Sequence, residues 1–143
     1  MAEYKTIEPK NIIMGKLSHG SDLLGELTAV CEKEKLTLGT VEAIGAVQRA
    51  CIGYYDQHQH QYQFTEINKD LEIASLIGNI SLRDGKPMVH AHVTLADENG
   101  VCLAGHLAEG TIIFACEFVI TVCEGPGFVR KHDAQTGLPL WDF

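Results

Sequence analysis

Three histidines lie in a segment of the chain that has the pattern of a β-hairpin. His90 and His92 alternate with apolar residues, and His106 follows a polar, turn-forming stretch at residues 97–100. Successive side chains of a strand point to opposite faces of a sheet, so His90 and His92 share one face. The apolar residues on the other face are Val89, Ala91, Val93 and Leu95. His106 belongs to the even-numbered set of a second strand that repeats this alternation.

The length of the connecting loop decides whether the three imidazoles meet. The apolar faces of the two strands coincide only if the loop contains an odd number of residues. A three-residue loop closed by Gly100 in the left-handed conformation satisfies this condition. It places His106 opposite His92, with His90 two residues along. A loop one residue shorter or longer would turn His106 to the other face.

Three imidazole nitrogens can bind zinc or another divalent metal and leave a fourth position for water or substrate. Zinc makes its bound water acidic near neutral pH, so such a site can be hydrolytic. Two alternatives remain open: the histidines are polar residues on a solvated strand, or they form hydrogen bonds in a metal-free subunit interface. A second pair, His58 and His60, lies in a glutamine-rich stretch typical of an exposed hairpin end. We predict a solvated loop there and assign it no role.

Glu117 is a candidate acid/base for the same face of the sheet. It interrupts the most apolar segment, residues 111–123, whose even-numbered members form the predicted core face. That predicted core set is Ile112, Phe114, Cys116, Phe118, Ile120 and Val122. If the loop at 108–111 brings the core faces together, Glu117 joins the histidine side. It could then act as a general base, hydrogen-bond a histidine or hydrogen-bond across an interface. An ordinary solvated strand residue is an equal alternative.

The remaining patterns predict an α+β domain. Apolar residues recur at helical spacing over 22–35, which indicates one amphipathic helix. Strand patterns occupy 4–7, 11–17, 37–47, 50–55 and 71–82. We expect a turn at Pro9, a bulge or close backbone approach at the glycines of residues 39–45, and a bend or bulge near Gly78. One helix among many strands predicts a strongly bent, largely antiparallel sheet.

The tail and the composition complete the prediction. Leu138, Leu140 and Trp141 look like an end that docks on the body, and Arg130, Lys131 and His132 form a cationic cluster. A chain of 143 residues predicts one domain, residues 1–143. The net charge of −8 disfavours non-specific DNA binding, and no apolar run is long enough to span a membrane. The five scattered cysteines predict reduced thiols in a cytoplasmic protein.

Several short motifs occur together in an order that resembles the PPC (plants and prokaryotes conserved) domain. These are Gly78-Asn79-Ile80-Ser81, Asp84-Gly85-Lys86-Pro87, His90-Ala91-His92, Gly105-His106-Leu107 and Glu117-Phe118-Val119-Ile120. The resemblance implies a homotrimer of α+β subunits with a metal site, such as zinc, at His90, His92 and His106 near a subunit boundary. Plant members carry an AT-hook before the domain. No such basic segment occurs here, so we expect a stand-alone, DNA-binding-like member of the bacterial type.

Three functional hypotheses follow from the sequence and the resemblance. The chain is a homotrimeric regulatory module that associates with DNA or a DNA-bound protein. Alternatively, it is a zinc-dependent enzyme for a small molecule, with Glu117 as the acid/base. As a third alternative, it is a metal-free structural trimer whose histidines hydrogen-bond in the interface. Whether the protein is an enzyme stays open at this point.

Overall fold

A computed structural model describes residues 2–142 of the chain. Within this part there are nine strands and one helix. In chain order they are β1 (Glu8–Lys16), α1 (Leu23–Lys33), β2 (Gly39–Asp56), β3 (Gln61–Ile67), β4 (Leu71–Arg83), β5 (Lys86–Ala96), β6 (Cys102–Leu107), β7 (Ile112–Glu124), β8 (Arg130–His132) and β9 (Pro139–Trp141). The predicted α+β class with one main helix is confirmed.

The first seven strands form one antiparallel sheet around the long strand β2. The strand order is β1-β7-β2-β4-β5-β6, with β3 also paired to β2. The first half of β2 pairs with β7 and β4, whereas its second half pairs with β3 and, at Ile52 and Gly53, with β6. Strands β2, β4, β5 and β6 therefore close on one another, and the predicted strong bend of the sheet is confirmed.

Gly45 allows β2 to bend in the middle of the sheet. Its φ is +146°, and the register against β4 shifts between Ala43 and Gly45. A Cβ atom at Gly45 would lie 2.1 Å from the carbonyl oxygen of Ala115 on β7. Only glycine combines this φ with so close an approach of two backbones. Of the predicted bulge or close backbone approach at these glycines, the close approach is confirmed.

Helix α1 covers the inner face of the sheet. Leu23, Leu27 and Cys31 recur at helical spacing and are fully buried. Asp22 caps the helix, because its Oδ1 accepts a hydrogen bond from the Gly25 amide at 2.8 Å. Its other carboxylate oxygen accepts from the Gly110 amide at 2.6 Å, which ties the helix start to the β6–β7 loop. The predicted helix agrees with the observed one to within two residues at either end.

The predicted turn at Pro9 is wrong. Residues 2–7 lie outside the strands, and Pro9 lies inside a single strand β1 that pairs with β7. The register of that pairing shifts between Pro9 and Asn11. Proline lacks an amide hydrogen and is tolerated at such a bulge on an edge strand. Strand β1 is the edge of the sheet, so it can accommodate Pro9.

The predicted irregularity in β4 and the predicted core face of β7 both need correction. The irregularity in β4 lies between Ile73 and Ser75, not near Gly78, where the ladder with β5 is continuous. Near its start, β7 faces the opposite way from the prediction: Ile113 is fully buried and Phe114 is 56% exposed. The cause is a register shift opposite Val47 of β2, which reverses the alternation. From Cys116 onward the predicted core face is correct.

The C-terminal tail docks on the sheet as predicted. Strands β8 and β9 form a small two-stranded sheet, and the Leu82 amide of β4 donates to the Phe128 carbonyl at 3.0 Å. Trp141 reaches the buried Ser81, whose Oγ accepts from its indole Nε1 at 3.2 Å. All five cysteines are free thiols. Helix α1, the helix within residues 2–142, lacks the length and apolar character needed to cross a membrane.

Candidate metal centre

The β5–β6 hairpin has the register that the sequence predicts. His92 pairs directly with His106. The loop contains three residues, because the Asp97 amide donates to the Val101 carbonyl at 3.1 Å and the Gly100 amide donates to the Asp97 carbonyl at 2.9 Å. Gly100 closes this turn with a φ of +76°. The predicted loop type and the placement of the three imidazoles on one face are therefore confirmed.

The three imidazoles form a compact cluster. Each ring offers one nitrogen, and these three atoms lie within 4.8 Å of one another. Nitrogen ligands of a tetrahedral zinc ion lie about 3.3 Å apart for zinc–nitrogen bonds of about 2.0–2.1 Å. The observed limit of 4.8 Å exceeds this spacing by about 1.5 Å, so the side chains would move closer together around a bound ion. His90 and His106 are half-buried, while His92 is exposed, so the cluster opens to solvent on one side.

His106 is held by the second half of β2 and by β3. It pairs with Gly53, and its ring lies against the ring of Tyr62 with centroids 4.7 Å apart. Its Nδ1 is buried and has no hydrogen-bond partner among residues 2–142. Leaving a buried polar nitrogen unsatisfied costs free energy. A metal ion bound to the cluster through Nδ1 of His106 would give this nitrogen a partner, so the residues fit the group.

Burial and neighbouring charge favour the neutral form of two of these histidines. Burial lowers the pKa of His90 to about 4, and the positive charges of Arg130 and the other two histidines act in the same direction. Burial also lowers the pKa of His106, with a further contribution from His92. Neutral imidazole is the form that donates a lone pair to a metal. Near pH 7 these two rings are thus ready to act as ligands.

Glu117 lies on the same outer face of the sheet but not in the cluster. One row of paired residues crosses this face through Met14, Val119, Glu42, Ile77, His92 and His106. Glu117 is two residues along β7 from Val119 and pairs with Lys16 and Ile44. Strands β2 and β4 lie between Glu117 and His92; three strand spacings of about 4.8 Å and an offset of two residues put them roughly 16 Å apart along the sheet. Within one chain, Glu117 does not reach the histidines.

An apolar groove of about 690 Å³ lies on this outer face between Glu117 and the histidines. Met14, Ile44 and Ile77 line it and are 75%, 59% and 63% exposed. Ile77 pairs with His92, so the groove is continuous with the histidine row. A groove lined by several exposed apolar side chains is typical of an interaction surface.

The His58–His60 segment forms the exposed turn between β2 and β3, as predicted. The His58 amide donates to Oδ1 of Asp56 at 2.9 Å, which fixes the turn locally. His60 lines the rim of a second cavity, of about 340 Å³, that also reaches His90 and His106. The solvated-loop prediction is confirmed, and the turn contributes one wall residue to this cavity.

Arg130 is the residue at this site that the sequence analysis missed. It was placed in a cationic cluster of the tail, whereas its side chain is only 6% exposed beneath the site. Its guanidinium donates to Asn79 Oδ1 at 2.6 Å, to Ser81 Oγ at 2.9 Å and to the Pro139 carbonyl at 2.9 Å. Asn79 pairs with His90 across β4 and β5. The available sequence signal was a basic residue placed directly after the apolar pair Phe128-Val129.

Comparison with known proteins identifies relatives across most of the chain. The structure superposes on a metal-containing protein from Archaeoglobus fulgidus with a TM-score of 0.94 and 37% identity, covering 99% of this chain and 100% of that one. A plant- and prokaryote-conserved (PPC) protein from Pyrococcus horikoshii superposes with a TM-score of 0.93 and 31% identity, covering 99% of this chain and 98% of that one. A provisionally assigned DNA-binding protein from Ralstonia eutropha superposes with a TM-score of 0.81 and 26% identity, covering 91% of this chain and 90% of that one.

Two curated relatives are much longer than this chain. Both are bifunctional GlmU proteins from Synechococcus strains, each 32% identical over 124 residues, which is 85% of this chain. This chain spans only 18% and 19% of their lengths. The family model of the Plants and Prokaryotes Conserved (PCC) domain, also abbreviated PPC, matches residues 4–124. The chain belongs to this family.

Proposed function

We propose that this protein is a PPC-domain module that binds a divalent cation such as zinc through His90, His92 and His106. The observation that carries the proposal is the set of three ring nitrogens within 4.8 Å of one another on one face of the sheet. The unpartnered Nδ1 of His106 supports it. The relative from Archaeoglobus fulgidus, described as metal-containing, supports it independently.

The residues of the chain have distinct tasks at this site. His90 and His106 supply neutral, half-buried rings, and Tyr62 fixes the plane of the His106 ring. His92 supplies the exposed ligand, which leaves the solvent side accessible to an exchangeable group. A bound cation would supply Lewis-acid chemistry at that open position.

We further propose that the module is a homotrimer that takes part in regulation in the cytoplasm. The exposed apolar groove on the outer face supports assembly, and the free thiols of all five cysteines fit a reducing compartment. The relative from Ralstonia eutropha supports a role near DNA. The net charge of −8 favours contact through a DNA-bound protein over direct contact with phosphates.

Direct DNA contact has a simple test. Electrophoretic mobility of a duplex oligonucleotide is measured with the protein at several salt concentrations. Binding that weakens as salt rises would support direct contact through cationic side chains. No retention at any salt concentration would exclude direct contact and leave a protein partner as the route to DNA.

A zinc-dependent enzyme is the second candidate. The cavity of about 340 Å³ beside His90 and His106 favours it, because this volume suits a small molecule. Glu117 would be its acid/base. Since Glu117 is separated from His92 by two strands, it would have to act on the cluster of a neighbouring subunit.

The deciding experiment is metal content per subunit, by elemental analysis of untagged protein that has never met a nickel column. The comparison is a variant with His90, His92 and His106 all changed to alanine, and His58→Ala is the matched control on the exposed turn. We expect about one metal per subunit in the wild type and control, and none in the triple variant. If the wild-type protein holds no metal after zinc incubation and dialysis, the metal-site proposal is rejected and the metal-free structural trimer is the remaining hypothesis.

A further inference from the structure

Arg130 is a buried cation without an acidic partner. No carboxylate among residues 2–142 lies within 4.0 Å of its guanidinium nitrogens. Its three acceptors, on Asn79, Ser81 and Pro139, are all neutral. A guanidinium has five N–H donors, so two remain after these bonds. A buried charge held this way is costly unless another group compensates it.

The cavity beside Arg130 concentrates positive charge in an acidic protein. Two of the three arginines of the chain, Arg83 and Arg130, line the 340 Å³ cavity, and none of the described residues that line it is acidic. The carboxylate nearest to Arg83, that of Asp84, is 3.8 Å away and 91% exposed, so it neutralises Arg83 poorly. Burial and the charge of Arg83 both lower the pKa of Arg130. The lining of this cavity therefore includes two cationic side chains and no anionic one, although the chain carries a net charge of −8.

The geometry points to a small anionic ligand, one carrying a carboxylate or phosphate group, that binds in this cavity with its anion on Arg130. The guanidinium fork matches either group in shape and charge. Tyr62, Leu138 and Leu140 provide ring and aliphatic walls for the rest of the molecule. His90 and His106 line the same cavity, so the ligand would lie beside the proposed metal. The inference names the ligand class for the proposed enzyme, but binding to Arg130 does not require the metal.

The C-terminal tail builds this site. Arg130, Leu138, Pro139 and Leu140 all follow residue 124, where the match to the family model ends. Several contacts hold the tail on the body: among them, the Tyr55 hydroxyl donates to the Thr136 carbonyl at 2.6 Å, and Arg130 donates to Asn79 and Ser81. Ligand specificity is thus set by the tail, whereas the proposed metal ligands lie within the matched domain.

The chain contains a built-in reporter for the test. Its single tryptophan, Trp141, has its ring 5.4 Å from the Arg130 guanidinium carbon, and its indole N–H shares Ser81 Oγ with Arg130. The indole ¹H–¹⁵N resonance is followed while metal-free protein is titrated with inorganic phosphate, with benzoate, or with benzamide as the neutral counterpart of benzoate, all at constant ionic strength. We expect a saturable shift with phosphate or benzoate and none with benzamide.

Three variants test the assignment. Arg130→Lys keeps the charge but loses the fork, and we expect about tenfold weaker binding or more. Arg83→Gln changes an exposed side chain at the rim, and we expect about two- to threefold weaker binding with the fold intact. Arg49→Gln removes the third arginine, exposed on β2 outside the cavity, and should bind like the wild type. If Arg130→Lys does not fold, the assignment is tested by comparing the anion affinities of Arg83→Gln and Arg49→Gln, of which only the first should be weaker than that of the wild type.

The inference is overturned if neither anion gives a saturable shift, or if all the variants bind as the wild type does. A parallel titration with duplex DNA separates a small ligand from a nucleic acid. A saturable shift with DNA and no response to phosphate or benzoate would indicate that Arg130 binds a nucleic acid, and it would reject the small-ligand inference. Because the protein is stripped of metal throughout, absence of zinc in elemental analysis would leave this result unaffected.

Discussion

At the scale of single residues, the histidine cluster combines a binding role with a stability cost. His90 and His106 are buried enough that protonation is disfavoured in the folded state. The same burial that prepares them as ligands therefore makes folding depend on pH. In the unfolded chain these rings return to an ordinary histidine pKa of about 6.5.

We predict that the metal-free protein loses stability as the pH falls from about 6.5 to about 4. In that window the unfolded chain binds a proton at His90 and the folded chain does not. The free energy of unfolding therefore falls as the pH falls. Below about 4 both states are protonated at His90 and its contribution levels off. The half-exposed ring is screened by solvent, so we expect an effect on the order of 1–2 kcal/mol. Urea unfolding in the presence of a chelator, followed by circular dichroism at several pH values, measures it.

The matched variants separate this effect from general acid denaturation. His90→Gln should make the pH profile between 4 and 6.5 less steep, because one of the two histidines that titrate differently in the two states is gone. His58→Gln, on the exposed turn, should keep the wild-type profile. A profile for His90→Gln as steep as the wild type would show that His90 does not carry the dependence.

The sequence predicted the histidines but not Arg130, and the reason is the range of the interactions involved. His90, His92 and His106 are placed by strand alternation and a three-residue loop, all within one hairpin. Arg130 is placed by a tail that folds back onto β4 and binds Asn79 and Ser81, about fifty residues earlier in the chain. No local periodicity encodes such a contact. The same limit applies to Tyr62, which reaches His106 only because β2 pairs with both β3 and β6.

At the scale of elements, the close approach of β4 and β5 supports the site. Gly78 pairs with Ala91, between the two histidines of β5. A Cβ atom at Gly78 would lie 2.5 Å from the His90 carbonyl oxygen and 2.7 Å from the Ala91 Cβ. Both neighbours are part of the strand backbone or attached directly to it, so neither can move aside alone. Glycine is thus required for the spacing of these strands, not for an unusual φ.

We predict that Gly78→Ala destabilises the protein by about 1–3 kcal/mol, the usual cost of forcing an extra methyl group into a packed site. Because the clash is at His90, metal affinity should fall together with stability. Gly127→Ala is the control, since a Cβ atom there meets nothing within 4 Å. Thermal unfolding and zinc titration of both variants provide the measurement. A Gly78→Ala protein with unchanged stability and zinc affinity would contradict the spacing argument.

The sequence patterns were reliable for regular elements and failed at bulges. Helix α1 and strand β5 follow their periodicities from end to end, because each buries one continuous face. Phe114 was predicted in the core and is exposed, because the register of β7 shifts against β2 at Val47. Pro9 was predicted in a turn and lies in an edge strand with an irregular register. A bulge depends on the partner strand, so one strand's own sequence does not reveal it.

At the scale of the whole molecule, the proposed metal site and the apolar groove are parts of one surface. The paired row from Met14 to His106 crosses six strands on the outer face, and Ile77 joins the groove to His92. A trimer that covers the groove would therefore bring another subunit close to the histidines. Such an arrangement would also offer Glu117 a route to a cluster that it does not reach within its own chain.

We predict that Ile44→Lys converts the proposed trimer to monomers without unfolding the subunit. Ile44 is 59% exposed in the single chain and lines the groove, so a lysine there is tolerated by the fold but opposes burial in an interface. Sedimentation equilibrium should give three times the subunit mass of 15.7 kDa for the wild type and the subunit mass for the variant. Tyr54→Lys, at a 67% exposed position outside the groove, should remain trimeric.

Metal analysis of the Ile44→Lys monomer then separates assembly from the site. All three proposed ligands come from one hairpin of one chain, so the monomer should still bind about one zinc ion. Any activity that needs Glu117 of a neighbouring subunit should be lost, although the metal is retained. If the variant remains trimeric, the groove is not part of the subunit interface. A monomer that has lost its metal would mean that the neighbouring subunit completes or stabilises the metal site.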